Sequence, residues 1–263
     1  MNLNQLSEIV CDIAIQAGEQ VMAIYETADF AVEAKADFSP LTAADLASHQ
    51  YLVEALAELT PDYPILSEES ATIPYEERRH WATYWLIDPL DGTKEFINRN
   101  GEFSILIALV HEQKPVLGVV YAPVIDTCWF ASLGNGAFKR TGEHTVALQV
   151  REAGSCLTVV GSRSHAGDSL KEFLEKAGEY ELISMGSILK ACLVAEGSAD
   201  IYPRFGPTSE WDTAAAQIIV EEAGGEMTDT QLLPLKYNAG PTLLNPHFLV
   251  YGKSNRQWMT YLS

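Results

Sequence analysis

The stretch Trp85-Leu86-Ile87-Asp88-Pro89-Leu90-Asp91-Gly92-Thr93 decides how the rest of the chain is read. An apolar, β-rich run ends in two carboxylates three residues apart, with Pro89 stiffening the path between them and Gly92 allowing a tight turn. Such a strand end can project both acids and one carbonyl to the same side. Thr93, followed by Lys94, Glu95 and Phe96, opens a helix whose first N–H groups lack intrahelical acceptors and suit a phosphate. Alone, a D-x-x-D-G stretch reads more simply as a strand running into an Asx-type turn.

Two further acidic stretches flank it. Upstream, Ser67-Glu68-Glu69-Ser70 follows Pro64, Ile65 and Leu66; downstream, Thr208-Ser209-Glu210-Trp211-Asp212 leads into Ala214, Ala215, Ile218 and Ile219 at helical spacing. Each has a plain structural explanation, the first as a solvated acidic turn and the second as a capping box between Ser209 and Asp212. Together they carry more. If Glu68, Asp88, Asp91 and Asp212 converge, four carboxylates repel one another unless divalent cations bind between them, and all-oxygen ligation suits magnesium.

The composition fits that requirement. Seventeen Lys plus Arg against thirty-six Asp plus Glu give a net charge of -19, which repels polyanions and argues against a nucleic-acid polymer or an anionic membrane as partner. A chain this acidic that handles a phosphate must gather local positive charge from a metal, helix N-termini or a few placed Lys and Arg. With 47% hydrophobic residues in 263, the chain can bury a large core. Its longest apolar runs, such as Ile105 to Val110, are too short to span a bilayer. Cys11, Cys128, Cys156 and Cys192 show no Cys-x-x-Cys and no ligand spacing with His, and read as four reduced thiols. The N-terminus lacks the basic start and apolar stretch of a signal peptide. The expected location is cytoplasmic, with peripheral association at the inner membrane face left open, as is the oligomeric state.

Helical spacing of Leu6, Ile9, Val10, Ile13, Ala14, Ala17, Val21 and Ile24 predicts a first helix closing near Tyr25, and a second is expected from about Thr42 until Pro61 stops it. YWLID, SILIALV and VLGVVYAP read as adjacent strands. Beyond Arg151 strand-like and helix-like runs alternate, the last helix spanning about Trp211 to Ala223 before Gly224 and Gly225. A soft boundary near Val150 divides a metal-site α+β half, 1–150, from an α/β half, 151–263. His49, His80, His111, His144, His165 and His247 form no ligand spacing.

Glu68-Glu69, Asp88-Pro-Leu-Asp-Gly-Thr93, and Trp211-Asp212 before an Ala-rich helix ending in Gly-Gly resemble the inositol monophosphatase superfamily of magnesium-dependent, lithium-sensitive phosphatases. Ser39-Pro-Leu-Thr-Ala-Ala-Asp45, Leu90 to Phe96, Ser184-Met-Gly-Ser187 with Lys190, and Tyr202-Pro-Arg-Phe-Gly-Pro207 look most like its 3'(2'),5'-bisphosphate nucleotidase branch. The resemblance covers essentially the whole chain. It implies one phosphatase unit, 1–263, folded as a layered α/β/α/β/α sandwich of the inositol monophosphatase and fructose-1,6-bisphosphatase type. It further implies two or three Mg²⁺ held by Glu68, Asp88, Asp91, Asp212 and the Leu90 carbonyl, phosphate contacts from Gly92 and Thr93, and a water polarised by Thr93 and Asp45. Glu68 is the alternative proton acceptor, and Glu69 an orienting neighbour. Arg204, assisted by Lys190, suits the second phosphate of a bisphosphate nucleotide. The implied reaction removes the 3'-phosphate of adenosine 3',5'-bisphosphate, a step linked to sulfate assimilation. Hydrolysis of inositol monophosphate and a non-catalytic nucleotide- or metal-binding role stand as the alternatives.

Overall fold

The computed structural model describes residues 2–27, 32–34, 40–70, 72–162 and 168–262. Ser39 of the Ser39 to Asp45 motif and His165 lie outside them. The first half contains α1 (Leu3–Tyr25), β1 (Val32–Ala34), β2 (Pro40–Thr42), α2 (Ala43–Leu59), β3 (Ile65–Ser67), α3 (Tyr75–Arg78), β4 (Thr83–Asp91), α4 (Thr93–Ile97), β5 (Ser104–His111), β6 (Lys114–Ala122), β7 (Thr127–Ser132), β8 (Ala137–Thr141) and β9 (His144–Ala147). The second contains β10 (Leu157–Ser162), α5 (Asp168–Ala177), β11 (Tyr180–Met185), α6 (Leu189–Ala195), β12 (Ile201–Arg204), α7 (Ala214–Glu222), β13 (Glu226–Asp229) and β14 (Phe248–Tyr251).

Local signals set these elements. The Asn2 side chain accepts from Gln5 N at 2.8 Å and starts α1, and Val10, Ala14, Ala17 and Val21 form its fully buried stripe. Thr42 and Asp45 close a capping box at the head of α2. The helix ends at Leu59, two residues before Pro61.

Strands β3 to β9 form a seven-stranded sheet in sequence order, antiparallel except for the parallel pair β3 and β4. A five-stranded sheet runs β11-β10-β12-β14-β13. The central strands read as unbroken apolar runs because both faces are covered. On β4, Trp85 and Ile87 face the core shared with α1 and α2, while Tyr84 and Leu86 face the core shared with α6 and α7. That middle core draws on residues from Leu66 to Val250 and lies between the two sheets. A third core packs α5 and Trp258 on the far face of the smaller sheet. The layers are therefore α/β/α/β/α, as expected. Each fully buried Leu, Ile or Val contributes about 1.5–3 kcal/mol, so covering every strand face dictates this stacking. At Gly118 on β6 an added Cβ would stand 2.2 Å from the Ala215 carbonyl oxygen, so glycine alone lets α7 lie this close to the sheet.

One expectation is corrected. Cys11 on α1 and Cys128 on β7 are joined as a disulfide, with Cα atoms 6.7 Å apart, leaving only Cys156 and Cys192 as thiols. The partners are 117 residues apart in sequence, so no local spacing marks them; α1 packed across the sheet brings them together. Among the described residues, no helix is long and apolar enough to cross a membrane.

Candidate active site

Residues three apart on a regular strand point to opposite faces. Strand β4 escapes this rule. Asp88 pairs with Leu106 and Asp91 with Ser104, so β4 spends three steps where β5 spends two. The extra residue is a β-bulge at Pro89 and Leu90, which restores the parity and turns Asp88 and Asp91 to one side. A bulge is also the place where an interior strand tolerates proline, since no ladder N–H is lost there. Ser48 on α2 donates to the Pro89 carbonyl at 2.8 Å, and Asp88 Oδ1 accepts from Leu90 N at 3.0 Å; both hold the bulge in shape.

Glu68 reaches the same place because β3 runs parallel to β4 in the register Ser67 to Ile87, and the next residue begins a 3-10 turn over Glu68–Ser70. Asp212 arrives from the turn Glu210–Asp212, where its Oδ2 accepts from Ser209 N at 2.8 Å in the expected capping box. Carboxylate oxygens of Glu68, Asp88 and Asp212 all lie within 4.8 Å of one another. Burial, then the charges of Glu68, Asp91 and Asp212, push Asp88 well above the ordinary carboxylate range. Burial, then Asp91 and Glu68, do the same to Asp212. Asp91 is also raised by burial, though Ser187, Lys190 and Ile188 pull it back. Such crowding of carboxylates is what a divalent cation relieves. The cluster offers only oxygen donors, which fits magnesium rather than zinc.

The carboxylates line a cavity of about 410 Å³ whose walls also include Leu90, Gly92, Thr93, Lys190, Arg204 and Trp211. Gly92 has φ +95°, and a Cβ there would meet the Glu102 carbonyl oxygen at 3.1 Å, so the turn into α4 requires glycine twice over. Thr93 Oγ1 lies 3.3 Å from Asp45 Oδ1 and 3.3 Å from the Leu90 carbonyl oxygen. Asp45 is buried, and its Oδ2 accepts from Thr42 N at 2.7 Å and from Thr42 Oγ1 at 2.5 Å. The Arg204 guanidinium donates to the Pro207 carbonyl at 3.1 Å, and its Nε is buried without a partner. Lys190 is only 4% exposed, and two of its three donors go to the Ser187 and Met185 carbonyls.

Every sequence-predicted site residue thus lines this cavity except Asp45, which stands behind Thr93, and Glu69, which sits in the turn beside Glu68. Three of the four acids form the tight cluster, while Asp91 is drawn toward Ser187 and Ile188. Those two residues had no assigned role in the sequence. Ser187 entered only as the end of the Ser184 to Ser187 motif and Ile188 through no motif, and the contacts span 96 and 97 residues. Glu69 is half-buried in the turn beside Glu68. Ile188 turns its side chain into the middle core.

A layered sandwich with an all-carboxylate centre at a bulged strand defines the class of metal-dependent phosphomonoesterases. A model of the inositol monophosphatase family matches residues 2–259, and the chain belongs to that family, whose members depend on a metal, typically magnesium, and are lithium-sensitive. More particularly, the 3'(2'),5'-bisphosphate nucleotidase CysQ of Escherichia coli (strain K12) is 50% identical over 242 residues, covering 92% of this chain and 97% of that protein. CysQ of Haemophilus influenzae is 40% identical over 98% of this chain and 96% of its own length. The crystal structure of CysQ from Bacteroides thetaiotaomicron, a bacterial member of the family, superposes with a TM-score of 0.81 at 42% identity, covering 95% of this chain and 97% of that one.

Proposed function

We propose that this chain, acting as one phosphatase unit in the cytoplasm, removes the 3'-phosphate of adenosine 3',5'-bisphosphate to give AMP and phosphate. The observation that carries the proposal is the meeting of Glu68, Asp88 and Asp212 within 4.8 Å, in a cavity that also presents Thr93 and Arg204. The likeness to CysQ, a 3'(2'),5'-bisphosphate nucleotidase, supports the choice of substrate.

Glu68, Asp88, Asp91, Asp212 and the Leu90 carbonyl would hold two or three Mg²⁺. Magnesium supplies charge neutralisation among the acids, polarisation of a phosphoryl oxygen and a lowered pKa for water. The rest is the work of the chain. Thr93 donates its hydroxyl proton to Asp45, which leaves the Thr93 oxygen free to accept from a water. The pair thereby orients that water and takes up its proton as the oxygen attacks phosphorus; the bond from phosphorus to the ribose 3'-oxygen breaks, and that oxygen leaves as the 3'-hydroxyl of AMP with a proton from solvent. Gly92 and Thr93 direct first-turn N–H groups at the phosphate being cleaved. Arg204, with a fork of donors, grips the second phosphate. The site lacks the D-x-D spacing of an aspartyl nucleophile, so attack by water without a phosphoenzyme is the simplest route.

Phosphate release from adenosine 3',5'-bisphosphate and from inositol 1-phosphate, compared at saturating Mg²⁺, tests the reading. Preferred turnover of the nucleotide is expected; faster turnover of the inositol ester would overturn it.

A further inference from the structure

We infer that Lys190 is a positioning residue: it clamps the turn Met185 to Ile188 so that Ser187 and Ile188 hold the Asp91 carboxylate in one orientation. Ser187 has φ +53°, in the left-handed region that L side chains rarely adopt. Such a residue persists only where its surroundings enforce it. Here they do. The Lys190 ammonium donates to the Ser187 carbonyl, and to the Met185 carbonyl at 3.2 Å. Gly186 N donates to Glu102 Oε2 at 2.7 Å, and Ser187 Oγ lies 2.5 Å from Ser104 Oγ.

The outcome of that enforcement is specific. Ser187 Oγ and Ile188 N donate to the same atom, Asp91 Oδ2, at 2.5 and 2.6 Å. Two donors on one oxygen fix the plane of the carboxylate. They also account for Asp91 standing beside the tight cluster of Glu68, Asp88 and Asp212 rather than within it. A lysine is rarely buried unless its charge is matched. Among the described residues Lys190 makes no close ion pair; its charge faces those of Asp91, Glu95 and Glu102 at longer range, and its ammonium is held directly by the two carbonyls and lies over the Tyr202 ring at 5.2 Å. That arrangement suits a clamp better than a hand extended to substrate.

The inference rests on the four acids being magnesium ligands, and calorimetry without substrate separates the two ideas. Lys190→Met and Ser187→Ala should each weaken Mg²⁺ binding to the metal-free protein about tenfold, with the double variant no weaker than the worse single variant by more than about twofold. KM for adenosine 3',5'-bisphosphate at saturating Mg²⁺ should stay within about twofold of wild type. Wild-type Mg²⁺ affinity in Lys190→Met overturns the clamp, and a raised KM in the same variant would assign the ammonium to substrate instead. If circular dichroism shows Lys190→Met unfolded, Ser187→Ala decides by the same titration, unchanged affinity again refuting the role. A wild-type protein that binds no Mg²⁺ removes the metal reading itself, and the clamp's role with it.

Discussion

Asp45 Oδ1 lies 3.3 Å from Thr93 Oγ1 while its other carboxylate oxygen closes the capping box on Thr42. One side chain therefore starts α2 and orients the hydroxyl at the mouth of α4. Asp45→Asn keeps the shape but removes the charge that draws the Thr93 proton. We expect kcat to fall by about 10²–10⁴-fold, with stability lowered by at most about 1 kcal/mol and Mg²⁺ binding retained. Steady-state kinetics with a thermal melt checks this; near-normal kcat would remove Asp45 from the mechanism.

Asp88 separates function from stability. Its carboxylate is buried among three other acids, so Asp88→Asn relieves repulsion in the metal-free protein. At pH 8 without metal the variant should be as stable as wild type or more so, by about 1–3 kcal/mol. It should be inactive and gain little stability from added Mg²⁺. A variant less stable than wild type without metal contradicts the repulsion argument.

The same acids set the pH dependence. A carboxyl whose folded pKa is raised contributes stability fully present below its unfolded value, here 3.8 for Asp88 and Asp212, and loses it as pH rises through the folded pKa. Glu210, pushed by burial up to about 7 from 4.5 against the opposing Asn238 N–H and Arg78, acts in the same direction. Metal-free protein should therefore lose stability as pH rises from about 4 through 7, and the gain in melting temperature on adding Mg²⁺ should grow over that interval. Melts in EDTA and in Mg²⁺ across the range measure both; an Mg²⁺ effect independent of pH would count against the ligand assignment.

Arg204 should discriminate between phosphates. Losing a charge-assisted bond of about 1.5–3 kcal/mol in Arg204→Met predicts a rise in KM of about 10- to 100-fold for adenosine 3',5'-bisphosphate. The KM for 3'-AMP, which lacks the 5'-phosphate, should change little. Equal effects on both substrates would place Arg204 at the cleaved phosphate or in the fold alone.

Gly118→Ala tests the packing that seats α7. With an added Cβ 2.2 Å from the Ala215 carbonyl, the helix must move or the strand bend, and we expect a loss of about 2–4 kcal/mol by denaturant unfolding. Wild-type stability would show that α7 has slack.

Much of this protein is written locally. The stripe on α1, the start of α2 near Thr42, the Ser209 and Asp212 cap and the apolar strands were legible because each depends on neighbours within a few residues. So were the acids themselves, as motifs. What the string of residues left open is where those acids end up. Asp91 shares a side with Asp88 only because β4 carries one residue more than β5 between their partners, which depends on strand pairing rather than on composition. Ser187 and Ile188 meet Asp91 from almost a hundred residues away, and Cys11 meets Cys128 only because α1 crosses the sheet. Side-chain periodicity and capping are short-range and repeat along the chain; convergence is decided by layers that pack as wholes, and tertiary structure alone determines it.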